Sequence, residues 1–246
     1  MSGLTIAVLS YGAPKTLYNT LQSYVKYNLK GDQKIVLLQE GTQEQKYICY
    51  EFGFKPISLL ANIGIAAGYR ALLHAAQEEQ FLFLENDWEL IQNPEGQILY
   101  GDTLIKDGEA DIIRYRSRTN PGSPLWSRQF EGQEYLRPSH LLESIHWTDP
   151  DKFPEIELYE EIVYAIMNNS IFEGGPIEFK TDKWYRTSSK YANWTNNPHM
   201  GNTDFLRSIT PRMGGGDVEK DLQDWWEQQD FKVMQSEGLF THNRLD

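Results

Sequence analysis

The sequence predicts an α/β fold with a mostly parallel, twisted sheet flanked by helices. Over residues 1–90, short apolar runs alternate with segments whose apolar residues recur at helical spacing. The run at residues 4–9 is of the short, β-rich apolar kind that a parallel sheet buries on both faces. Strands and helices that alternate at this spacing indicate right-handed βα units within one sheet.

The first half of the chain predicts four strands and three helices in strict alternation. Pro14 suits the first turn of a helix in which Leu17, Leu21 and Val25 recur on one side. Gly53 can end the second helix, because glycine adopts the left-handed conformation common after a helix. The strands are expected at residues 4–9, 34–38, 55–60 and 81–84, and the helices at 14–25, 42–52 and 65–79.

The pattern is less regular after Asp87, where longer loops are expected. A strand is predicted at residues 110–115, and helices are predicted at 158–168 and 218–229. Long loops are expected between residues 117 and 155, and loops of that length commonly carry function. We expect residues 1–246 to form one domain with a loop-rich C-terminal half.

Composition and charge exclude several classes of protein. The 246 residues carry a net charge of -12, which argues against nucleic acid or an anionic membrane as a partner. Cys49 is the only cysteine, so neither an intrachain disulfide nor a cysteine-based zinc cluster can form. The N-terminus has no basic region and only a short apolar run, so we expect a cytoplasmic protein without an integral membrane segment.

Polar residues follow three of the predicted strands. They are Ser10-Tyr11, Glu40 and Glu85-Asn86-Asp87. Ligands of open α/β sheets bind beyond the carboxyl ends of the strands, where these residues fall. A carboxylate pair there suits Mg²⁺ or Mn²⁺, which commonly take one or two carboxylates plus phosphate oxygens. An ordinary strand-end turn is the alternative, since Asn and Asp also favour turns.

The stretch ANIGIAAGYRALL before and within the third predicted helix suggests a close approach of backbone to a ligand. Asn62, Gly64 and Gly68 provide a flexible entry, and Arg70 follows on the helix. The glycine spacing is not that of a dinucleotide fingerprint, and no GKS or GKT follows as in a phosphate-binding P-loop. A loop with a packing glycine and a solvated arginine is the alternative.

In this order the segments LTIAVLSYGAPK, KIVLLQEGT, NIGIAAGYRALL and FLFLENDWEL resemble the nucleotide-sugar half of GT-A glycosyltransferases, most closely family 2. Glu40 stands where the family usually has aspartate, Glu85-Asn86-Asp87 matches the Asp-x-Asp motif, and Arg70 stands where asparagine is frequent. The resemblance covers about the first 90 residues, over a third of the chain. It implies that residues 1–90 bind the donor and residues 91–246 form the acceptor side.

The resemblance also implies a role for each matched residue. EGLFTHNRLD resembles the segment that supplies a metal-binding histidine, so Asp87 and His242 would hold Mn²⁺ or Mg²⁺. GGGDVEKDLQDWW resembles the segment that places the general base, so Asp217 or Glu219 would be catalytic. Nucleotide-sugar binding falls to Ser10, Tyr11, Gly12, Glu40, Asn62, Gly64, Arg70, Glu85 and Asn86.

These assignments predict a metal-dependent, inverting glycosyltransferase. It would move a sugar from a nucleotide diphosphate sugar, with a UDP-sugar favoured, to a glycan or another hydroxyl acceptor. Two alternatives stay open. A catalytically silent carbohydrate-binding or nucleotide-sugar-binding protein could keep the same fold. A sugar nucleotidyltransferase shares this kind of sheet, but LSYGAPK lacks the glycine-rich loop that such an enzyme has after its first strand.

Overall fold

The computed structural model describes residues 3–117, 120, 122, 177–181, 184–190, 192, 194–215 and 218–246. Element labels below number the helices and strands of these ranges only. The predicted helix at 158–168, most of the predicted loops at 117–155 and Asp217 lie outside the described residues.

The first half of the chain alternates strands and helices as predicted. Helix α2 begins with a capping box in which Thr42 and Gln45 bond each other's backbone N–H groups, and Gly53 follows the helix at φ +75°. The elements are β1 Leu4–Tyr11, α1 Pro14–Lys26, β2 Gln33–Gln39, α2 Gln43–Glu51, β3 Lys55–Ser58, α3 Gly64–Ala75 and β4 Gln80–Glu85. Helix α3 ends four residues before the predicted boundary, because Ala76 is already extended.

The second half contains more strands than the sequence pattern indicated. The predicted strand at 110–115 is present as β6, and the predicted helix at 218–229 is present in shorter form as α6. The elements are β5 Trp88–Leu90, α4 Glu95–Lys106, β6 Ile112–Arg116, β7 Ile177–Thr181, β8 Trp184–Ser188, β9 His199–Asn202, α5 Thr203–Ile209, a 3₁₀ turn Thr210–Arg212, α6 Val218–Trp226 and β10 Lys232–His242.

All the described strands join one sheet in the order β3-β2-β1-β4-β9-β6-β10-β8-β7, and β5 pairs with β10. Strands β1 to β4 are mutually parallel, and β10 is parallel to β6. Strand β9 is antiparallel to both β4 and β6. The prediction of a mostly parallel sheet flanked by helices is therefore confirmed.

Each face of the sheet is covered by its own hydrophobic cluster. Along β1, Leu4, Ile6 and Val8 pack into one cluster, while Ala7 and Leu9 pack into the other. This alternation follows from the two-residue period of a strand. Helix α3 comes close to the sheet at Gly68, where an added Cβ would lie 2.6 Å from Leu9 Cδ1.

A bulge interrupts the pairing of β10 with β6. The register with β6 shifts between Gln235 and Phe240, and Gly238 lies there at φ +105° against the backbone of Ser117. Beyond the bulge, β10 pairs with β5, so that His242 lies opposite Trp88. None of the helices in the described ranges has the length and apolar character needed to cross a membrane.

Candidate active site

The site lies at the carboxyl edge of the parallel strands, beside β1. Strand β1 is flanked by β2 and β4, with Tyr11 paired to Gln39 and Leu9 paired to Glu85. Glu40 therefore follows β2 on one side of β1, and Asp87 follows β4 on the other. The sheet brings these residues to the same edge, as predicted from their positions at strand ends.

Asp87 and His242 form a pair although 155 positions separate them in the sequence. His242 Nε2 lies 3.2 Å from Asp87 Oδ2, and both side chains are largely buried. The other carboxylate oxygen, Oδ1, is buried and makes no hydrogen bond within the described part of the chain. Strand β10 holds His242 in place through its pairing with β5, and the His242 ring packs edge-on against Trp88 at 5.0 Å.

This pair has the chemistry of a divalent-cation site. An ionised carboxylate oxygen without a partner and an imidazole nitrogen are both suitable ligands for Mn²⁺. The described residues contain no cluster of three or more His, Cys, Asp or Glu side chains arranged to hold a metal. A bound Mn²⁺ or Mg²⁺ would therefore take its remaining ligands from substrate phosphates and water.

Glu85 and Glu219 complete an acidic group with Asp87. Burial raises the pKa of Glu85 to about 8, and the charges of Asp87 and then Glu219 add to the rise. Glu219 lies in the first turn of α6, where its Oε1 accepts hydrogen bonds from Asn196 N (2.8 Å) and Thr195 Oγ1 (3.1 Å). The charges of Asp87 and Glu219 that act on the desolvated Glu85 carboxyl group are costly unless a cation or a donor-rich ligand compensates them.

Asn86 fixes the turn between β4 and β5. Its N–H donates to the Leu9 carbonyl at 3.0 Å, and its carbonyl accepts from Thr20 Oγ1 at 2.7 Å. The side-chain Nδ2 is buried and has no partner among the described residues. The backbone of Asn86 therefore has a structural role, and its amide retains donors for a ligand.

The loop after β1 differs in exposure along its length. Ser10 is fully buried beneath the edge, and its hydroxyl makes no hydrogen bond to any described residue. Tyr11 is 48% exposed, and Gly12 adopts φ +59° while its carbonyl accepts from Gln45 Nε2 at 2.8 Å. Of these three residues, Tyr11 offers the accessible side chain.

Glu40 and Asn62 lie together at the carboxyl edge of the sheet, beyond the ends of β2 and β3. Glu40 is exposed and adopts a left-handed φ of +52°, which is costly for a residue with a side chain. Its Oε1 accepts weakly from Asn62 N at 3.4 Å, and Asn62 Oδ1 accepts from Gly64 N at 2.8 Å to lead into α3. Gln39, which the sequence reasoning did not single out, accepts from Ile63 N at 2.7 Å.

Arg70 is engaged away from these residues. Its Nη1 donates to the Met213 carbonyl at 2.9 Å, which ties α3 to the turn before α6. This hydrogen bond gives Arg70 a structural role that does not require a bound phosphate. Contact between Arg70 and a phosphate of the donor remains a prediction.

The sequence reasoning also missed the residues that follow His242. Asn243 N donates to the Asp87 carbonyl at 2.8 Å, and Asn243 Nδ2 donates to Glu89 Oε1 at 2.9 Å. Arg244 lies next along the chain, and its charge opposes the rise in the pKa of Glu85. No local pattern could reveal these contacts, because each joins residues about 150 or more positions apart.

No protein-family model and no curated protein sequence matches the chain. The crystal structure of residues 1–349 of S. aureus TarS superposes with a TM-score of 0.59 at 12% identity, over 98% of this chain and 60% of that chain. Glucosyl-3-phosphoglycerate synthase from Mycobacterium tuberculosis, in complex with Mn²⁺, UDP and phosphoglyceric acid, superposes with a TM-score of 0.52 at 12% identity. The superposition covers 100% of this chain and 72% of that chain. The chain has a GT-A-type fold.

The GT-A-type fold is not restricted to one reaction. A nucleotidyl transferase from Methanothermobacter thermautotroptrophicus also superposes, with a TM-score of 0.50 at 10% identity, over 95% of this chain and 87% of that chain. At such identities the similarity establishes the fold, and function has to be argued from the site. The chain spans about three fifths of the TarS fragment that it matches.

Proposed function

We propose that the protein is a metal-dependent, inverting glycosyltransferase that uses a nucleotide diphosphate sugar. The observation that carries this proposal is the pair of Asp87 and His242 at the carboxyl edge of the sheet, in which Asp87 Oδ1 is buried without a partner among the described residues. The similarity in fold to TarS and to the glucosyl-3-phosphoglycerate synthase complex supports it.

Asp87 and His242 would hold the cation. When bound, Mn²⁺ or Mg²⁺ would neutralise charge on the departing nucleoside diphosphate. The 3.2 Å separation of Asp87 Oδ2 and His242 Nε2, together with the partnerless Oδ1, supports this assignment. Tyr11 at the end of β1, with Glu40 after β2 and Asn62 after β3, would contact the nucleoside. Glu85 and Asn86 would contact the sugar.

Glu219 or Asp217 would remove the proton from the acceptor hydroxyl. Glu219 is oriented by two hydrogen bonds to Oε1, and its charge contributes to the raised pKa of Glu85. A general base on the side of the sugar opposite the leaving group gives inversion at the anomeric carbon. Asp217 lies outside the described residues and stays the alternative base. A UDP-sugar as donor, and a glycan or other hydroxyl as acceptor, complete the proposal.

A sugar nucleotidyltransferase is the second candidate, because the nucleotidyl transferase structure superposes on 95% of this chain. The two reactions release different products. A nucleotidyltransferase joins a nucleoside triphosphate to a sugar phosphate and releases pyrophosphate. A glycosyltransferase releases a nucleoside diphosphate from a preformed donor.

The test is a product assay with UDP-, GDP- and TDP-sugars, with and without Mn²⁺. We expect slow, Mn²⁺-dependent release of nucleoside diphosphate from one donor class, and a product of inverted anomeric configuration once an acceptor is found. Pyrophosphate release from a nucleoside triphosphate and a sugar phosphate would favour the second candidate. Nucleotide binding with no turnover by either assay would favour a catalytically silent protein.

A further inference from the structure

Residues Asn243–Asp246 form a short strap that crosses from the acidic group to the start of helix α1. At one end, Asn243, which directly follows His242, donates hydrogen bonds to the Asp87 carbonyl and to the Glu89 side chain. At the other end, the Asp246 carboxylate bonds the first turn of α1. The strap therefore connects two parts of the site that are more than 70 positions apart in the sequence.

The Asp246 end of the strap is a helix cap supplied from a distant part of the chain. Its Oδ2 accepts from Lys15 N at 3.1 Å, and its Oδ1 accepts from Thr16 N at 3.1 Å and Thr16 Oγ1 at 2.6 Å. Thr16 Oγ1 also accepts from Leu245 N at 2.9 Å. Helix α1 needs this partner, because Ala13 at its N-cap position has no side-chain oxygen with which to bond the first N–H groups.

The capped helix begins directly after the loop that contains Tyr11 and Gly12. Gly12 and Ala13 both adopt left-handed φ values, +59° and +50°, and the conformation is unfavourable for Ala13 because it has a Cβ atom. A carboxylate at the start of α1 is favourable, since the helix dipole makes that end positive. The cap thus stabilises the loop, the start of α1 and the strap together.

We propose that Asp246 is a positioning residue for donor binding, because its cap on α1 fixes the strap and so places Arg244 near the end of the strap that Asn243 anchors to Asp87, where the diphosphate would bind. This inference rests on the proposed function and assigns the strap a role in the same site. Arg244 lies between the two anchored ends, one residue after Asn243 and two before Asp246, and its Nε donates to the Asp246 carbonyl at 3.0 Å. A guanidinium held there would supply positive charge where a diphosphate leaves.

The test compares Asp246→Ala and Thr16→Val with a matched surface control, Asp204→Ala. Asp204 is an exposed carboxylate in the first turn of α5, outside the crevice residues. Calorimetry measures Kd for Mn²⁺ together with UDP, GDP or TDP, whichever the unaltered protein binds, at a temperature where every variant is folded. We expect both strap variants to weaken nucleotide binding five-fold or more, and the double variant to weaken it by less than the product of the two single effects, since both remove the hydrogen bond from Thr16 Oγ1 to Asp246 Oδ1.

A purely structural cap gives a different pattern. It would lower the Tm of Asp246→Ala while leaving Kd and the KM for the donor unchanged, and that result would overturn the inference. Asp246→Asn keeps one acceptor oxygen and is expected to give intermediate affinity. Asp87→Asn separates the two proposals. If Asp87→Asn abolishes Mn²⁺-dependent nucleotide binding and Asp246→Ala leaves that binding unchanged, only the strap inference fails. No Mn²⁺-dependent nucleotide binding by the unaltered protein would overturn both.

Discussion

At the scale of single residues, the site is marked by polar atoms that are buried without partners. Asp87 Oδ1 and Asn86 Nδ2 are both of this kind among the described residues. Leaving such groups unsatisfied costs about 1–3 kcal/mol each, and a ligand bound at this edge of the sheet would complete their bonding. Asp87 Oδ1 belongs to the carboxylate that pairs with His242, which is why we locate the cation there.

Asp87→Asn should abolish Mn²⁺-dependent nucleotide binding and turnover, because an amide oxygen is a much weaker ligand than a carboxylate for a hard cation. His242→Ala should weaken Mn²⁺ affinity less, since water can replace one imidazole. Calorimetric Mn²⁺ titrations in the presence of nucleotide measure both effects. Asp107→Asn, which changes an exposed carboxylate just after α4, is the matched control. Full activity of Asp87→Asn in excess chelator would rule out the cation role.

His199 predicts a specific pH dependence of stability. It is fully buried, with Nδ1 2.8 Å from the Asn197 carbonyl and Nε2 2.9 Å from Tyr69 Oη. Burial lowers its pKa from 6.5 to about 4. The unfolded chain therefore binds a proton that the folded protein excludes, and the free energy of unfolding falls as the pH drops from 6.5 towards 4, by up to about 3 kcal/mol.

His199→Gln should consequently flatten the dependence of unfolding free energy on pH between 6.5 and 4, although it destabilises the protein at neutral pH by disturbing the pair with Tyr69. Urea denaturation at several pH values measures the slope. His74→Gln, at an exposed position, should keep the slope of the unaltered protein. Equal slopes for all three proteins would show that His199 is not the group responsible.

At the scale of elements, α6 joins the candidate base to the segment before β9. Glu219 accepts from Asn196 N and Thr195 Oγ1, and Gln223 Oε1, one turn later, accepts from Trp194 N at 2.8 Å. Trp194 and Trp226 then pack against each other within the core, with ring centroids 5.1 Å apart. The orientation of the carboxylate thus depends on a packed helix rather than on a free loop.

Glu219→Gln should lower turnover by about 10²- to 10⁴-fold with donor and Mn²⁺ affinity nearly unchanged, because it keeps the accepting oxygen but removes the base. Glu219→Ala should also weaken the tie to Asn196 and so lower the Tm. Asp224→Asn, an exposed change on the same helix, serves as the control. Asp217→Asn tests the alternative base in parallel. Normal turnover in both the 217 and 219 variants would refute the proposed base, as would a product of retained configuration.

The bulge in β10 predicts a large effect of a small substitution. Gly238→Ala should destabilise the protein by more than about 2 kcal/mol, because φ is +105° and the new Cβ would meet the Ser117 backbone. Thermal denaturation gives the measurement. Gly96→Ala is the matched control, since Gly96 is helical with open space around it and should gain up to about 1 kcal/mol. Similar Tm values for the two variants would contradict the role assigned to the bulge.

At the scale of the whole molecule, residues from both ends of the sequence build the site. The β1 loop supplies Tyr11, the turn after β4 supplies Asp87, and β10 with its strap supplies His242 and Arg244. With a net charge of -12, the protein repels a free diphosphate, so binding of the donor should require a cation.

Mn²⁺ and the correct nucleoside diphosphate together should therefore stabilise the fold more than either does alone. At a ligand concentration 100 times Kd the gain is about 2.7 kcal/mol, which for a chain of this size corresponds to a Tm increase of roughly 5–10 °C. Thermal shift assays with each component, with both, and with both plus chelator measure this effect. An equal shift by nucleotide in the presence of chelator would argue against a metal-dependent site.

The sequence alone determined the parallel half of the fold and the approximate place of the site. Apolar runs, helical spacing and turn residues are local properties, so β1 to β4 and their helices could be predicted within a few residues. Glu40 and Asp87 could be placed at one sheet edge because parallel strands end together. Strand β10, at residues 232–242, was not predicted from the sequence, because these residues have no local pattern that identifies a strand.

Tertiary structure decided which residues meet. The pairing of β5 with β10 brings His242 to Asp87, α6 turns Glu219 towards Glu85, and Asp246 caps a helix 230 positions away. In the tertiary structure Arg70 donates a hydrogen bond to Met213, and Ser10 is buried. The motif match alone could not show whether these two residues contact a ligand or other parts of the protein. The physical reason is that such contacts depend on strand order and register, which are set by packing of the whole sheet and not by any short segment.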